Sequence, residues 1–177
     1  MSNLFLLTLI SFFLAIFVES LLLILQLKGR KLTKWLGAGA FTVHAGITGA
    51  LWITSFVLFL LLQREDHPLF HECAAARYLG GVLFMSGGAV AVWAFLVLGL
   101  KRSLCLNFFE EIVPMVRKGP YRYFSSPLDY GLWTALLGLA LITGSWYNLI
   151  ITLEFILIMI PHIMLENLPL DKNLREF

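Results

Sequence analysis

Residues 3–27 hold a single ionisable side chain, Glu19, and four further apolar runs follow at 41–63, 78–100, 130–143 and 146–165. This pattern limits the possible folds more than anything else in the chain. A bilayer core takes about 20 helical residues to cross, at about 1.5 Å of rise each. The first three runs and the last meet that length. The run at 130–143 is short, and only Gly144-Ser145 parts it from the next, a tight-turn signal between antiparallel helices. The two together read as a tilted hairpin. A soluble domain carries about 25% charged residues; this chain carries 14%, with 59% hydrophobic. A soluble core of this size has no room for the excess apolar surface, which lipid accepts. The expected fold is all-α: a polytopic membrane helix bundle of about five transmembrane helices with a C-terminal helical hairpin. It is expected as a single membrane domain over 1–177. Three N-terminal spans fill 1–100, a cytoplasmic loop fills 101–129, and the hairpin and C-terminal tail fill 130–177.

Charge placement sets the expected orientation. Of 13 Lys and Arg, eleven fall on one side of a five-span chain: Lys28, Arg30, Lys31, Lys34, Lys101, Arg102, Arg117, Lys118, Arg122, Lys172 and Arg175. Only Arg64 and Arg77 fall on the other, beside Glu65, Asp66 and Glu72. The basic side is cytoplasmic by the positive-inside rule. This places the N-terminus outside and the C-terminus in the cytoplasm. Topology accounts for these cations, so they give no support to nucleic-acid binding. The first run lacks a basic n-region and outlasts a signal-peptide core, so it reads as a permanent span. Cys73 and Cys105 fall on opposite sides and are expected as free thiols. Gly80, Gly81, Ser86, Gly87 and Gly88 give the third span a small-residue packing face.

Ionisable groups inside spans are costly and point to function or to a polar seam. Glu19 and His44 lie in the first two spans. In the last, Glu154, Ile158, His162 and Glu166 recur every four residues and share one helical stripe. That stripe descends to the side that bears the long loop Lys101–Pro127. A loop of this length in so small a chain is often functional. Turn signals at Gly119-Pro120 and Ser126-Pro127 bracket Tyr121, Arg122 and Tyr123, where two aromatic rings flank a guanidinium. Such a trio can stack on a flat ring or a cation, or sit as an interfacial belt.

Gly119-Pro120-Tyr121-Arg122-Tyr123, then Pro127, then a helical hairpin, then Glu166, is an order that resembles membrane methyltransferases. That group includes isoprenylcysteine carboxyl methyltransferases and phosphatidylethanolamine N-methyltransferases. The resemblance covers about Leu98 to Leu170. The isoprenylcysteine branch reads Gly-Pro-Tyr-x-x-x-Arg-His-Pro-x-Tyr-x-Gly. Here Ser125-Ser126 replace the Arg-His pair and Asp129 replaces the second Tyr. The chain is therefore more similar to the phospholipid branch. The family often ends the hairpin in Glu-Glu; here Glu166 matches and Asn167 does not.

The resemblance implies an S-adenosyl-L-methionine-dependent enzyme with its cofactor in a cytoplasmic pocket and a membrane-embedded substrate, most simply a phospholipid amine. Methylation of a prenylated cysteine carboxylate, or a non-catalytic membrane assembly or structural protein with the same fold, are the other readings. Carried over by match, the cofactor contacts are Gly119, Pro120, Tyr121, Tyr123, Pro127 and Glu166. Arg122 lies between the two tyrosines, and Ser126 and Asn167 stand where the family has His and a second Glu. An amine nucleophile must shed a proton, so a general base is useful. His162, one turn before Glu166, is the candidate, with Glu110 or Glu111 if the loop folds back. Lys101, Arg102, Arg117 and Lys118 line the same edge and can hold a lipid phosphate. No metal is expected, and oligomeric state is left open.

Overall fold

A computed structural model describes residues 2–64, 73–109 and 116–166. They form α1 (Asn3–Leu27), α2 (Lys31–Leu36), α3 (Ala40–Leu62), α4 (Ala74–Leu98), α5 (Leu100–Ser103), α6 (Pro127–Thr143) and α7 (Trp146–Glu166). Short 3-10 turns occupy Gly37–Gly39, Leu106–Phe108 and Gly119–Arg122. No strand occurs among the described residues. Four helices are long and apolar enough to cross a membrane, and α6, at 17 residues, is a shorter apolar helix. The all-α membrane bundle is thus as expected. The first loop additionally folds into the short α2, and the long loop is partly helical. Side chains such as Ile53, Leu60, Val82, Met85, Leu96 and Leu157 stand exposed around the bundle, as lipid-facing residues do.

The helices fall into two packed groups. In the first, α1 lies against α3 and α7. Phe12 is fully buried there, with Phe56, Phe59, Trp52 and Phe155 edge-on around it at centroid distances of 5.5–6.2 Å. At the end away from the basic loop, Gln63 and Asn148 exchange two amide hydrogen bonds of 2.9 and 2.7 Å, joining α3 to α7. The backbone N–H of Ser2 donates to the Tyr147 hydroxyl (3.2 Å), whose ring stacks on Phe5 at 4.2 Å.

In the second group, α4 packs along α6, and α6 also meets α7. Glycine makes the approach of α4 to α6 possible. A Cβ on Gly87 would stand 2.5 Å from the Ala135 nitrogen, one on Gly131 2.6 Å from the Ala91 nitrogen, and one on Gly80 2.7 Å from the Gly138 oxygen. Backbone meets backbone at each point, as in small-residue membrane interfaces. The expected packing face on α4 is narrower than its small residues implied. Gly81 and Gly88 have nothing within 4 Å where a Cβ would go, and Ser86 is exposed. The helical period puts Gly80 and Gly87 on one face and turns their neighbours away.

Candidate active site

The loop after α4 reaches the site through a clamp on α1. Gln26, buried near the end of α1, donates to the Thr33 hydroxyl (2.7 Å) and to the Phe108 carbonyl (3.1 Å), and accepts from the Thr33 backbone N–H (3.2 Å). Arg30 donates to the Phe109 carbonyl at 3.0 Å. The segment pinned in this way carries Cys105 at φ 62°, in the left-handed region. That conformation costs a non-glycine residue about 1–2 kcal/mol. It turns a fully buried thiol inward beside Leu23 and Phe108.

Around that sulfur, α1, α3 and α7 bring polar groups together. The Cys105 thiol donates to Glu166 Oε1 at 3.1 Å and lies 4.0 Å from Glu19 Oε1. The other oxygen of Glu19 accepts from the Trp52 indole N–H at 2.8 Å. His162 Nε2 is 3.5 Å from Glu166 Oε1, and its Nδ1 is 3.0 Å from the Ser20 hydroxyl. Pro161 in the preceding position lacks an N–H, so the Leu157 carbonyl loses its helical partner next to the site. Burial pushes the Cys105 thiol well above its ordinary range, and the carboxylates of Glu166 and Glu19 push it further. The sulfur is therefore a protonated donor. Glu19, Cys105 and His162 offer three ligand atoms within 4.8 Å of one another, a set able to hold a metal ion.

This cluster opens into a cavity of about 1420 Å³. Its deep wall carries Glu19, Trp52, Phe56, Phe155, Met159 and His162. Arg102, Arg117, Tyr121, Arg122 and Glu166 line its more exposed rim, and the buried Ser126 lines it as well. Ile53 of α3 and Val92 and Phe95 of α4 line its apolar side. Tyr121 is half-buried, and its hydroxyl is pushed up to about 12, first by burial and then by the carboxylates of Asp129 and Glu166.

Of the residues singled out in the sequence, Tyr121, Arg122, Ser126, His162 and Glu166 converge on this cavity. Gly119, Pro120 and Pro127 lie in the same segment without lining it. Gly119, at φ 55°, lets the loop lie on α4, since a Cβ there would sit 3.0 Å from Val97. Pro120 and Pro127 are buried; Pro120 lies in the first positions of the 3-10 turn and Pro127 begins α6. Tyr123 points outward, 72% exposed, with the Arg122 guanidinium 5.9 Å from its ring centre. Glu110, Glu111 and Asn167 lie outside the described residues. Glu154, two turns up the stripe from His162, does not reach the cavity. Of the four basic candidates for a phosphate, Arg102 and Arg117 line the cavity; Lys101 and Lys118 do not.

Sequence reasoning read Cys105 only as a free thiol, which it is, and did not single out Trp52; nothing in their local pattern marks either for the site. Glu19 was flagged by its place in a span, without a partner. Asp129, noted only as a departure from the family pattern, also lines the cavity.

Comparison with known proteins gives this cavity its context. The family described as phospholipid methyltransferase matches residues 75–175. Phosphatidylethanolamine N-methyltransferase B of Dictyostelium discoideum is 29% identical over 131 residues, covering 72% of this chain and 66% of that protein, so the chain spans just under two thirds of the relative's length. No solved structure matches. The family match runs from α4 through the clamped loop and both hairpin helices, and the chain belongs to the phospholipid methyltransferase family.

Proposed function

We propose that this chain transfers a methyl group from S-adenosyl-L-methionine to the amine head group of a membrane phospholipid. The observation that carries this reading is a single cavity with a cationic rim, an acidic interior and an apolar side. Arg102 and Arg117 at the rim suit a lipid phosphate. Glu19, Asp129 and Glu166 suit a cationic amine and oppose a carboxylate substrate, which disfavours the prenylcysteine reading. Ile53, Val92 and Phe95 give acyl chains an apolar border. The bias of Lys and Arg supports an N-terminus outside and this rim in the cytoplasm, where a soluble methyl donor has access.

The residues present fit S-adenosyl-L-methionine. Glu166, at the mouth of the cavity, offers a carboxylate for an ammonium or ribose hydroxyl, and Tyr121 offers an aromatic face for a sulfonium or adenine. Arg122 and Ser126 complete that end. When bound, the cofactor supplies an electrophilic methyl carbon on a positively charged sulfur. The protein's share is to hold the amine in line with that carbon and to take its proton. His162 is the assigned base. It would accept one proton from the ammonium, which would free the nitrogen lone pair for the new N–C bond as the old carbon–sulfur pair leaves with a neutral thioether. Ser20 orients the imidazole at Nδ1, and Glu166, beside Nε2, stabilises the imidazolium that results. The test is transfer of a labelled methyl from S-adenosyl-L-methionine to phosphatidylethanolamine by the purified protein in lipid nanodiscs. Label in the head group, lost in His162→Ala, is expected. Full turnover in His162→Ala removes that residue as base, and absence of label with the native protein overturns the assignment.

A further inference from the structure

We infer that Glu19, Trp52, Phe56 and Phe155 form the subsite that receives the substrate's ammonium group and accepts it in its methylated form. The inference rests on the methyl-transfer reading above and names the site at which the acceptor is held.

Glu19 is 4% exposed in a transmembrane helix, a costly place for a carboxyl group without a compensating partner. Trp52 satisfies one oxygen. At the other, the hydrogen-bond contact is the Cys105 thiol at 4.0 Å, a thiol already engaged with Glu166 at 3.1 Å, and the His162 imidazole, within 4.8 Å, is itself held by Ser20 and Glu166. The second oxygen therefore retains capacity for a cation, and it lines the cavity.

The walls beside it are aromatic. Trp52 stacks on Phe56 with ring centres 5.9 Å apart and planes at 26°. It meets Phe155 at 5.8 Å and 81°. All three border the cavity with Glu19: Trp52 and Phe56 as part-exposed rings, and Phe155 as the fully buried ring behind Trp52. A carboxylate among rings in two near-perpendicular orientations is the chemistry that recognises an alkylated ammonium. A primary ammonium is held by hydrogen bonds to water or protein. A trimethylammonium has no N–H to donate and depends on charge and ring faces. The subsite is also well placed for transfer. Glu19 and Glu166 flank the same sulfur, so the amine pocket and the proposed cofactor anchor are one side chain apart. Glu19, Trp52 and Phe56 lie outside the stretch that the family match covers.

The experiment uses the full chain in maltoside detergent, which carries no N-methyl protons. Dihexanoylphosphatidylcholine is added below its micellar concentration and followed by saturation-transfer NMR from the aromatic protons. The native protein is expected to saturate the N-methyl signal. Glu19→Gln, which keeps an oxygen for Trp52, is expected to weaken binding about tenfold, and Phe56→Leu about threefold. Gel-filtration profile and thermal unfolding in the same detergent are expected to match the native protein in both, which shows that they are folded. Native-like lipid binding by both variants overturns the inference. Methyl transfer by the native protein without N-methyl saturation removes the subsite and leaves the methyltransferase. Saturation without methyl transfer leaves the subsite and removes the methyltransferase.

Discussion

The two packed groups of helices solve the same problem by opposite means. Between α4 and α6 side chains are omitted: glycines bring the backbones together, and nothing polar is needed at the contacts. Between α1, α3 and α7, bulky aromatic side chains keep the helices apart, and polar groups fill the space that remains. Lipid gives helices no hydrophobic reason to associate, so contacts depend on close packing or on polar bonds. The glycine seam uses the first and has no room for a ligand. The aromatic group uses the second, and where its polar groups gather, a cavity opens. The seam acts as the fixed rail on which the hairpin and the Gly119–Arg122 turn are carried to that cavity.

The sharpest way to break this comparison is to add a side chain to the seam. Gly87→Leu and Gly131→Val each drive a side chain into the facing backbone, which has no rotamer to yield. A loss of more than about 3 kcal/mol is expected, enough to unfold a marginally stable bundle. Gel filtration and thermal unfolding in detergent would show aggregated or low-melting protein. Gly88→Leu, one residue away and pointing into open space, should leave both unchanged. If Gly88→Leu were equally damaging, the seam would not be the determinant.

In the polar group the expected damage falls on function. Glu166→Ala should keep the fold and weaken S-adenosyl-L-methionine binding about 10- to 100-fold, the range for losing a hydrogen bond to a charged group. Calorimetry on the purified variant checks this, and unchanged affinity would move the cofactor anchor elsewhere.

The same end of the molecule should be sensitive to alkali. The Cys105 thiol is held above its ordinary 9.0 and the Tyr121 hydroxyl is raised from 10.0 to about 12, so in both cases the folded state retains a proton that the unfolded chain releases. Stability from each is complete below the ordinary value and is lost as pH rises through the folded one. The melting temperature should therefore begin to fall above pH 9, and fall further between pH 10 and about 12. Tyr121→Phe should flatten the second part, and a curve identical to the native one would exclude that tyrosine.

How much of this could be read in advance differs between the two groups. Long apolar runs reported α1, α3 and α7 to within one residue at each end, because a span must satisfy every backbone group within itself, while α4 and α6 begin four and three residues before their apolar runs. Glycines on α4 reported a packing face, but only the partner helix determines that Gly87 is used and Gly88 is not. Gly119, Tyr121 and Glu166 were legible because their pattern is local. The junction of Glu19, Trp52 and Cys105 was not. Each comes from a different element, and Cys105 reaches the site only because Gln26 and Arg30 pin a loop some 80 positions away in sequence. Such long-range closure leaves no periodic trace.

His44 gives the finest test of the distinction between polar groups that serve the cavity and those that merely occupy a span. It is 1% exposed, both ring nitrogens lack a hydrogen-bond partner among the described residues, and it does not line the cavity. Its ring packs on Phe109 at 5.1 Å. A buried polar group without partners is a cost, and an apolar side chain of similar size removes it. His44→Leu should leave stability unchanged or raise it by up to about 1 kcal/mol, and leave methyl transfer intact. Thermal unfolding and the labelled-methyl assay decide it together. A large loss of activity at native stability would give His44 a part in the site that its geometry does not, and would extend the functional polar group about two turns further along α3.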